Sequence, residues 1–125
     1  FACDKVMIHD GARPNLTKDL IKRLIDTAQR HEAVIPVIPV VDTIKWVEDG
    51  FVKETLPREK LAAVQTPQIF SYQIIKQAYD RFRDQVVTDD ASLVELLGKK
   101  VIAIKGELAN IKVTYAADLE LIDIK

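Results

Sequence analysis

His9-Asp10-Gly11-Ala12-Arg13-Pro14 follows the apolar run Lys5 to Ile8 and sets a carboxylate and a guanidinium three residues apart on a turn. At the end of a buried strand such a pair can face a ligand. Asp10 could hold a hydroxyl, or a metal ion that bridges phosphates; Arg13 could clamp a phosphate through two parallel hydrogen bonds. A pair that only locks the turn would use the same residues, with Gly11 supplying the conformational freedom. A second cluster, Asp42-Thr43, closes the run from Ala33 to Val41. Its hydroxyl could meet a phosphate or a sugar hydroxyl, although Thr and Asp are common at strand ends without any ligand. The third is Asn110-Ile111-Lys112-Val113-Thr114, whose alternation puts Asn110, Lys112 and Thr114 on one face. Lys112 is there a candidate phosphate ligand, and Thr114 more simply a helix cap. Arg58, Thr66-Pro67-Gln68 and Thr88-Asp89-Asp90 are polar sites in loops, where binding residues often lie. His31 reads as the end of an amphipathic helix, where a cation suits the macrodipole, and His9 as a structural hydrogen-bonding residue rather than a base.

Several chemistries are set aside. The sequence has no Cys/His metal spacing, no G-x-S-x-G and no Walker A motif. Its 4 glycines are unclustered and make no cradle for a triphosphate. What remains reads as half of a phosphate site. With 18 basic and 19 acidic residues the net charge is −1, which gives no general drive toward nucleic acid or an anionic membrane. A phosphate must therefore be held by locally placed Lys, Arg and backbone N–H groups. Cys3 alone cannot form an internal disulfide, and the longest apolar stretch is far too short to span a bilayer. A cytoplasmic protein is expected. The chain starts at Phe1 and enters a strand almost at once, so an upstream part is expected as well.

The elements that must position these residues can be read in outline. Lys5 to Ile8 is a short buried strand, and Thr17 caps a helix whose apolar face is Leu20, Ile21, Leu24, Ile25 and Ala28. Ala33 to Val41 is a second buried strand, expected to be short or to leave the sheet near Pro39, because proline removes a ladder donor. Thr43 to Thr55 is β-rich around Asp49-Gly50, a hairpin signature. With little of its own to bury, that hairpin is expected to project as an arm. Ser71 should cap a helix with Ile74, Ile75, Ala78, Tyr79 and Phe82 inward. Thr88 should cap another, with Leu93, Val94, Leu96 and Leu97, stopping at Gly98. Val101 to Ile104 and Asn110 to Val113 read as strands, and Thr114 begins a final helix through Asp118 to Ile124. Alternating strands and helices argue an α/β sheet covered on both faces, with ligands at the carboxyl ends of its strands. One domain, or part of one, accounts for the 125 residues.

In order along the chain, HDGARP, PVVDTIK, the Arg58 loop with QTPQIF, VTDDAS and NIKVTYAADL resemble the 2-C-methyl-D-erythritol 4-phosphate cytidylyltransferase family. Each string is weak by itself; five in order across nearly the whole chain are specific. The resemblance covers the family's C-terminal portion, and the family's N-terminal strand and Gly-rich loop have no counterpart here. It implies a partial Rossmann-like nucleotidyltransferase sheet with helices on both faces. Residues 1–125 would then be the C-terminal part of a single domain, with a dimerisation arm at about 43–58. Two departures are visible: Gly11 stands where Ala is usual, and Pro36 is an extra proline in a strand.

The resemblance further implies roles. Asp10 and Arg13 fall on residues that help bind the substrates, and Asp10 and Lys112 are the expected cofactor-binding residues. Thr43 falls on a contact to the methylerythritol phosphate. Arg58 falls on an Arg that reaches across a homodimer to the partner's substrate phosphate, and Thr66, Thr88 and Lys112 lie around the active site. Lys112 and Arg58 are the expected catalytic residues. Mg²⁺, bound mainly through the CTP phosphates, is the expected cofactor. CTP and a sugar-alcohol phosphate are the expected substrates, with neither nucleic acid nor membrane as partner. The 125 residues by themselves are expected to be inactive. Two alternatives stand beside this: a ribitol-5-phosphate cytidylyltransferase, and a non-catalytic dimerising fragment of the same fold.

Overall fold

The computed structural model describes residues 3–122. Seven strands and three α-helices follow in the order β1 (Lys5–Ile8), α1 (Lys18–Ala28), β2 (Ala33–Pro39), β3 (Ile44–Glu48), β4 (Phe51–Leu56), β5 (Ala62–Val64), β6 (Gln68–Ser71), α2 (Tyr72–Arg81), α3 (Asp90–Leu96) and β7 (Ile102–Lys105). Single 3₁₀ segments occupy Arg58–Lys60 and Ala116–Leu121. Among the described residues no helix is long and apolar enough to cross a membrane.

β2 organises the main sheet. Its start pairs with β6 (Ala33 with Phe70, Val34 with Ile69), and its end pairs with β5 (Val37 with Val64, Pro39 with Ala62). Its other edge takes β7 in parallel, Val34 opposite Ile102 and Val37 opposite Lys105. Beyond β6 lies β1, antiparallel, with Ile8 opposite Gln68. Pro36 sits where the chain opposite changes from β6 to β5, and its carbonyl accepts from Gln65 N–H at 2.8 Å. That position spares the ladder a donor that proline lacks. The strand ends at Pro39, as its prolines led us to expect.

Side-chain alternation splits the core into two layers. Ala33 and Phe70 bury on one face against Ile74, Ile75 and Ala78 of α2 and Ala91, Leu93 and Val94 of α3. Val34 and Ile69 bury on the other against Leu20, Leu24 and Ala28 of α1. Helices thus cover both faces, and among the described residues only the β2–β7 pair is parallel. The fully buried Phe70 alone gains about 2–3 kcal/mol over an exposed ring.

Local chemistry sets the ends. Thr17 Oγ1 accepts from Leu20 N–H at 3.1 Å and starts α1 as expected, although Ile25 of the expected apolar face is exposed. His31 lies exposed beyond the end of that helix. Ser71 stands at the start of α2 but its hydroxyl makes no cap bond, and Tyr79 points outward. The cap of α3 is Asp89, not Thr88: its carboxylate accepts from Ser92 N–H at 3.0 Å. A carboxylate prevails over its neighbour here because it also reaches Gln68 Nε2, at 3.1 Å. Leu96 is exposed, and the chain turns off at Gly98, whose φ of 77° an L side chain rarely adopts.

Two strands, β5 and β6, go beyond the elements expected from the sequence. Conversely, Asn110–Val113 is no strand; these residues bond to other segments instead, as described below. The last helix is a 3₁₀ segment. Thr114 does not cap it; the Asp118 carboxylate does, accepting from Thr114 and Tyr115 N–H at 2.9 Å each. Its expected extension to Ile124 lies outside the described residues beyond Ile122. β3 and β4 form a separate two-stranded sheet. Asp49 and Gly50 both take positive φ, 52° and 80°, the primed turn that Asp-Gly favours. Trp46, Val47, Phe51 and Val52 are exposed on this arm, Phe51 at 74%.

Candidate active site

Antiparallel pairing puts the start of β6 beside the end of β1, so Thr66 arrives next to Asp10 although 56 residues separate them. Asp10 N–H donates to Thr66 Oγ1 at 2.9 Å. The Thr66 hydroxyl lies 3.0 Å from His9 Nδ1, and His9 Nε2 lies 3.0 Å from the Arg13 carbonyl. A carbonyl only accepts, so Nε2 carries the proton and Nδ1 accepts from Thr66. Both ring nitrogens are therefore used in holding the turn, which is the structural role expected of His9.

The Asp10 carboxylate has two partners. Oδ1 accepts from Ala12 N–H at 2.9 Å, and Oδ2 accepts from the Lys112 ammonium at 3.1 Å. The Ala12 N–H, and after it Lys112, hold the Asp10 carboxyl below its ordinary value against the opposing effect of burial. Lys112 is half-exposed, so the pair is worth at most about 1 kcal/mol and its ammonium can swing to another anion. Arg13 is placed differently. Its Nη1 donates to the Asn110 carbonyl at 2.7 Å and its Nη2 to the Val64 carbonyl at 3.4 Å. Burial pulls the guanidinium down from its ordinary value, and the charge of Asp10 opposes this. No ion pair joins Asp10 to Arg13 among the described residues.

Behind this rim lies a buried amide knot. Gln65 Nε2 donates to the Glu107 and Asn110 carbonyls at 2.8 and 3.2 Å. Its Oε1 accepts from Glu107 N–H at 3.1 Å and from Asn110 Nδ2 at 3.4 Å. Asn110 Nδ2 also donates to the Thr66 carbonyl at 2.9 Å. Sequence reading missed Gln65 and Gly106 and took Asn110 for a strand residue. The only available signal was polarity within an otherwise apolar stretch.

Asp10, Thr66, Arg13 and Lys112 thus meet at one rim of the sheet. Thr88 is exposed and lines a neighbouring cleft of about 410 Å³ with Val64, whose carbonyl Arg13 touches. Thr43 and Arg58 stand apart, at the base of the arm. Thr43 is exposed just before β3, and no hydrogen bond among the described residues ties it to the Asp10 cluster. Arg58 Nη1 donates to the Val41 carbonyl and lines a cleft of about 640 Å³ with Val37, Pro39, Leu61 and Lys105.

The donor set suits a particular kind of metal binding. No three His, Cys, Asp or Glu side chains gather into a metal cage among the described residues. Asp10 alone beside Lys112 fits an ion held chiefly by ligand phosphates, the usual habit of Mg²⁺. A carboxylate beside a phosphate also requires a cation between them.

The sequence model described as IspD, 2-C-methyl-D-erythritol 4-phosphate cytidylyltransferase, matches residues 2–124. The chain is 43% identical over 117 residues to the 2-C-methyl-D-erythritol 4-phosphate cytidylyltransferase of Caldicellulosiruptor bescii, covering 94% of this chain and 52% of that one. It is 48% identical over 116 residues to the enzyme of the same name from Halalkalibacterium halodurans, covering 91% and 51%. The crystal structure of the 2-C-methyl-D-erythritol 4-phosphate cytidylyltransferase from Thermus thermophilus superposes with a TM-score of 0.85 at 37% identity, over 97% of this chain and 61% of that one. The chain spans about half the length of the curated relatives it matches.

Proposed function

Since the chain belongs to the 2-C-methyl-D-erythritol 4-phosphate cytidylyltransferase family, we propose that the protein carrying it transfers a cytidylyl group from CTP to 2-C-methyl-D-erythritol 4-phosphate in isoprenoid biosynthesis. The observation that carries this reading is the meeting of Lys112, Asp10, Thr66 and Arg13 at one sheet rim.

A phosphate oxygen of the sugar alcohol attacks the α-phosphorus of CTP. A new P–O bond forms, the bond to the β-phosphate bridge breaks, and pyrophosphate leaves with that electron pair. The nucleophile is already an anion at neutral pH, so no general base is needed, in keeping with a His9 ring whose nitrogens are both engaged. This chain's residues then act by position and charge. Lys112 leaves Asp10 to neutralise phosphate charge. Thr66, whose proton goes to His9 and whose oxygen takes Asp10 N–H, has one acceptor position left for a substrate donor. Arg13 braces the Asn110 and Val64 carbonyls and lends its charge to the pocket. Asp10 would help hold Mg²⁺, which would supply further charge neutralisation.

Residues 1–125 are read as the C-terminal part of one nucleotidyltransferase domain whose arm, 43–58, joins two copies. The exposed Trp46, Val47, Phe51 and Val52 support that docking; Arg58 at its base would reach the partner's sugar-alcohol phosphate, and Thr43 would contact the methylerythritol phosphate. A cytoplasmic location accords with the lone Cys3. The test is pyrophosphate release from CTP by the natural protein that carries this chain, with 2-C-methyl-D-erythritol 4-phosphate and ribitol 5-phosphate as separate acceptors. Release with the first at a kcat/KM well above the second is expected. Release only with ribitol 5-phosphate, or none, rejects the proposal.

A further inference from the structure

Gln65 touches no rim residue's charged group, yet its side chain commits its whole hydrogen-bonding capacity to one segment. A carboxamide has two donors and two acceptor positions, and all four go to Glu107 and Asn110. Both residues belong to the stretch that leads to Lys112. That stretch is held at its start by Gly106 N–H on the Val37 carbonyl at 2.7 Å, and at its end by Val113 N–H on the Ala12 carbonyl at 2.8 Å. Between these two points it forms no strand or helix, so side-chain bonds replace a ladder. Gly106 is fitted to the same amide: a Cβ there would stand 2.4 Å from Gln65 Oε1. The glycine has no left-handed φ to require it; close approach of Gln65 explains it.

We infer that Gln65 is a positioning residue, a buried latch that fixes the 106–112 segment and so aims the Lys112 ammonium at the phosphate site. The inference rests on the reading of Lys112 in the preceding subsection. Asn110 carries the same setting to the other side of the rim, because its carbonyl receives Arg13 and its amide holds the Thr66 carbonyl. Loosening the latch should therefore displace Lys112 without removing any group that contacts substrate.

Two variants of the natural protein test this. Gln65→Glu replaces two donors with acceptors facing the Glu107 and Asn110 carbonyls. Gly106→Ala pushes a methyl against the amide and serves if the first does not fold. Amide hydrogen exchange should speed up by roughly tenfold in peptides covering 106–113 relative to those covering β1 and β6, the size expected for one lost buried hydrogen bond. Cytidylyl transfer should fall by roughly 10- to 100-fold in kcat/KM. Combined with Lys112→Ala, the latch variant should add clearly less than it costs alone, because much of its effect runs through that ammonium. Uniform acceleration of exchange over the sheet, or fully additive losses, overturns the latch. If the unsubstituted protein transfers no cytidylyl group, the reaction reading falls, and the exchange measurement still decides the latch.

Discussion

Lys112 and Asp10 are paired at the rim, and their contact makes two effects separable. Lys112→Ala should lower kcat/KM for cytidylyl transfer by about 10²- to 10³-fold, as loss of one preorganised charge-stabilising donor does. Steady-state kinetics on the natural protein measures it. The same change should let the Asp10 carboxyl rise toward its ordinary 3.8, though not fully, since the Ala12 N–H remains its larger stabiliser. The sign of the pH effect follows. A carboxyl lowered in the folded state contributes stability that is present above its unfolded value and is lost as pH falls through the folded one. Thermal unfolding should therefore depend less on pH below about 3.8 in Lys112→Ala than in the unsubstituted protein. Thr66→Val should cost about 1–3 kcal/mol, because it strands Asp10 N–H and His9 Nδ1 together, whereas Thr66→Ser should recover most of it. Chemical denaturation distinguishes the two.

Helix starts explain which loop residues matter for stability and which do not. Asp89 caps α3 and also receives Gln68 Nε2, so Asp89→Ala should destabilise by about 1–2 kcal/mol. The adjacent, exposed Thr88→Ala should stay within about 0.5 kcal/mol. Gln68 completes the joint by accepting from Ala91 N–H at 3.2 Å. A tie between α2 and α3 is the Tyr79 hydroxyl donating to Asp90, which pushes the Tyr79 phenol up to about 12. A raised value contributes stability that is intact below the ordinary 10.0 and is lost as pH rises toward about 12. In Tyr79→Phe that alkaline loss should be smaller, seen as a flatter unfolding midpoint between those pH values. The hairpin turn is an element-scale device as well: Gly50 at φ 80° resists any side chain, so its replacement should loosen the arm first.

At the scale of the molecule, the arm is a two-stranded sheet apart from the main one, and its Trp46, Val47, Phe51 and Val52 are exposed. Trp46→Glu with Phe51→Lys should therefore leave the thermal stability of the main sheet nearly unchanged while dissociating the proposed dimer, read by sedimentation. If the natural protein stays dimeric with both substitutions, the arm is not the interface.

Sequence alone determined a good deal here. Short-range physics fixes the Asp49-Gly50 turn, the Thr17 cap, most of each helix's apolar face and the end of β2 at Pro39, because each depends on neighbours within a few residues. The family strings likewise pointed to Asp10, Arg13, Thr66 and Lys112, whose types suit phosphate chemistry. Only the tertiary structure decided that β6 runs back beside β1 and brings Thr66 to Asp10, and that Asn110–Val113 is a tethered loop. It alone gave Gln65 and Gly106 their purpose. Hydrogen bonds such as Gln65 to Glu107, 42 residues on, and Arg13 to Asn110, 97 residues on, leave no periodicity in the chain. The partners of a buried amide therefore become known only when the fold closes around it.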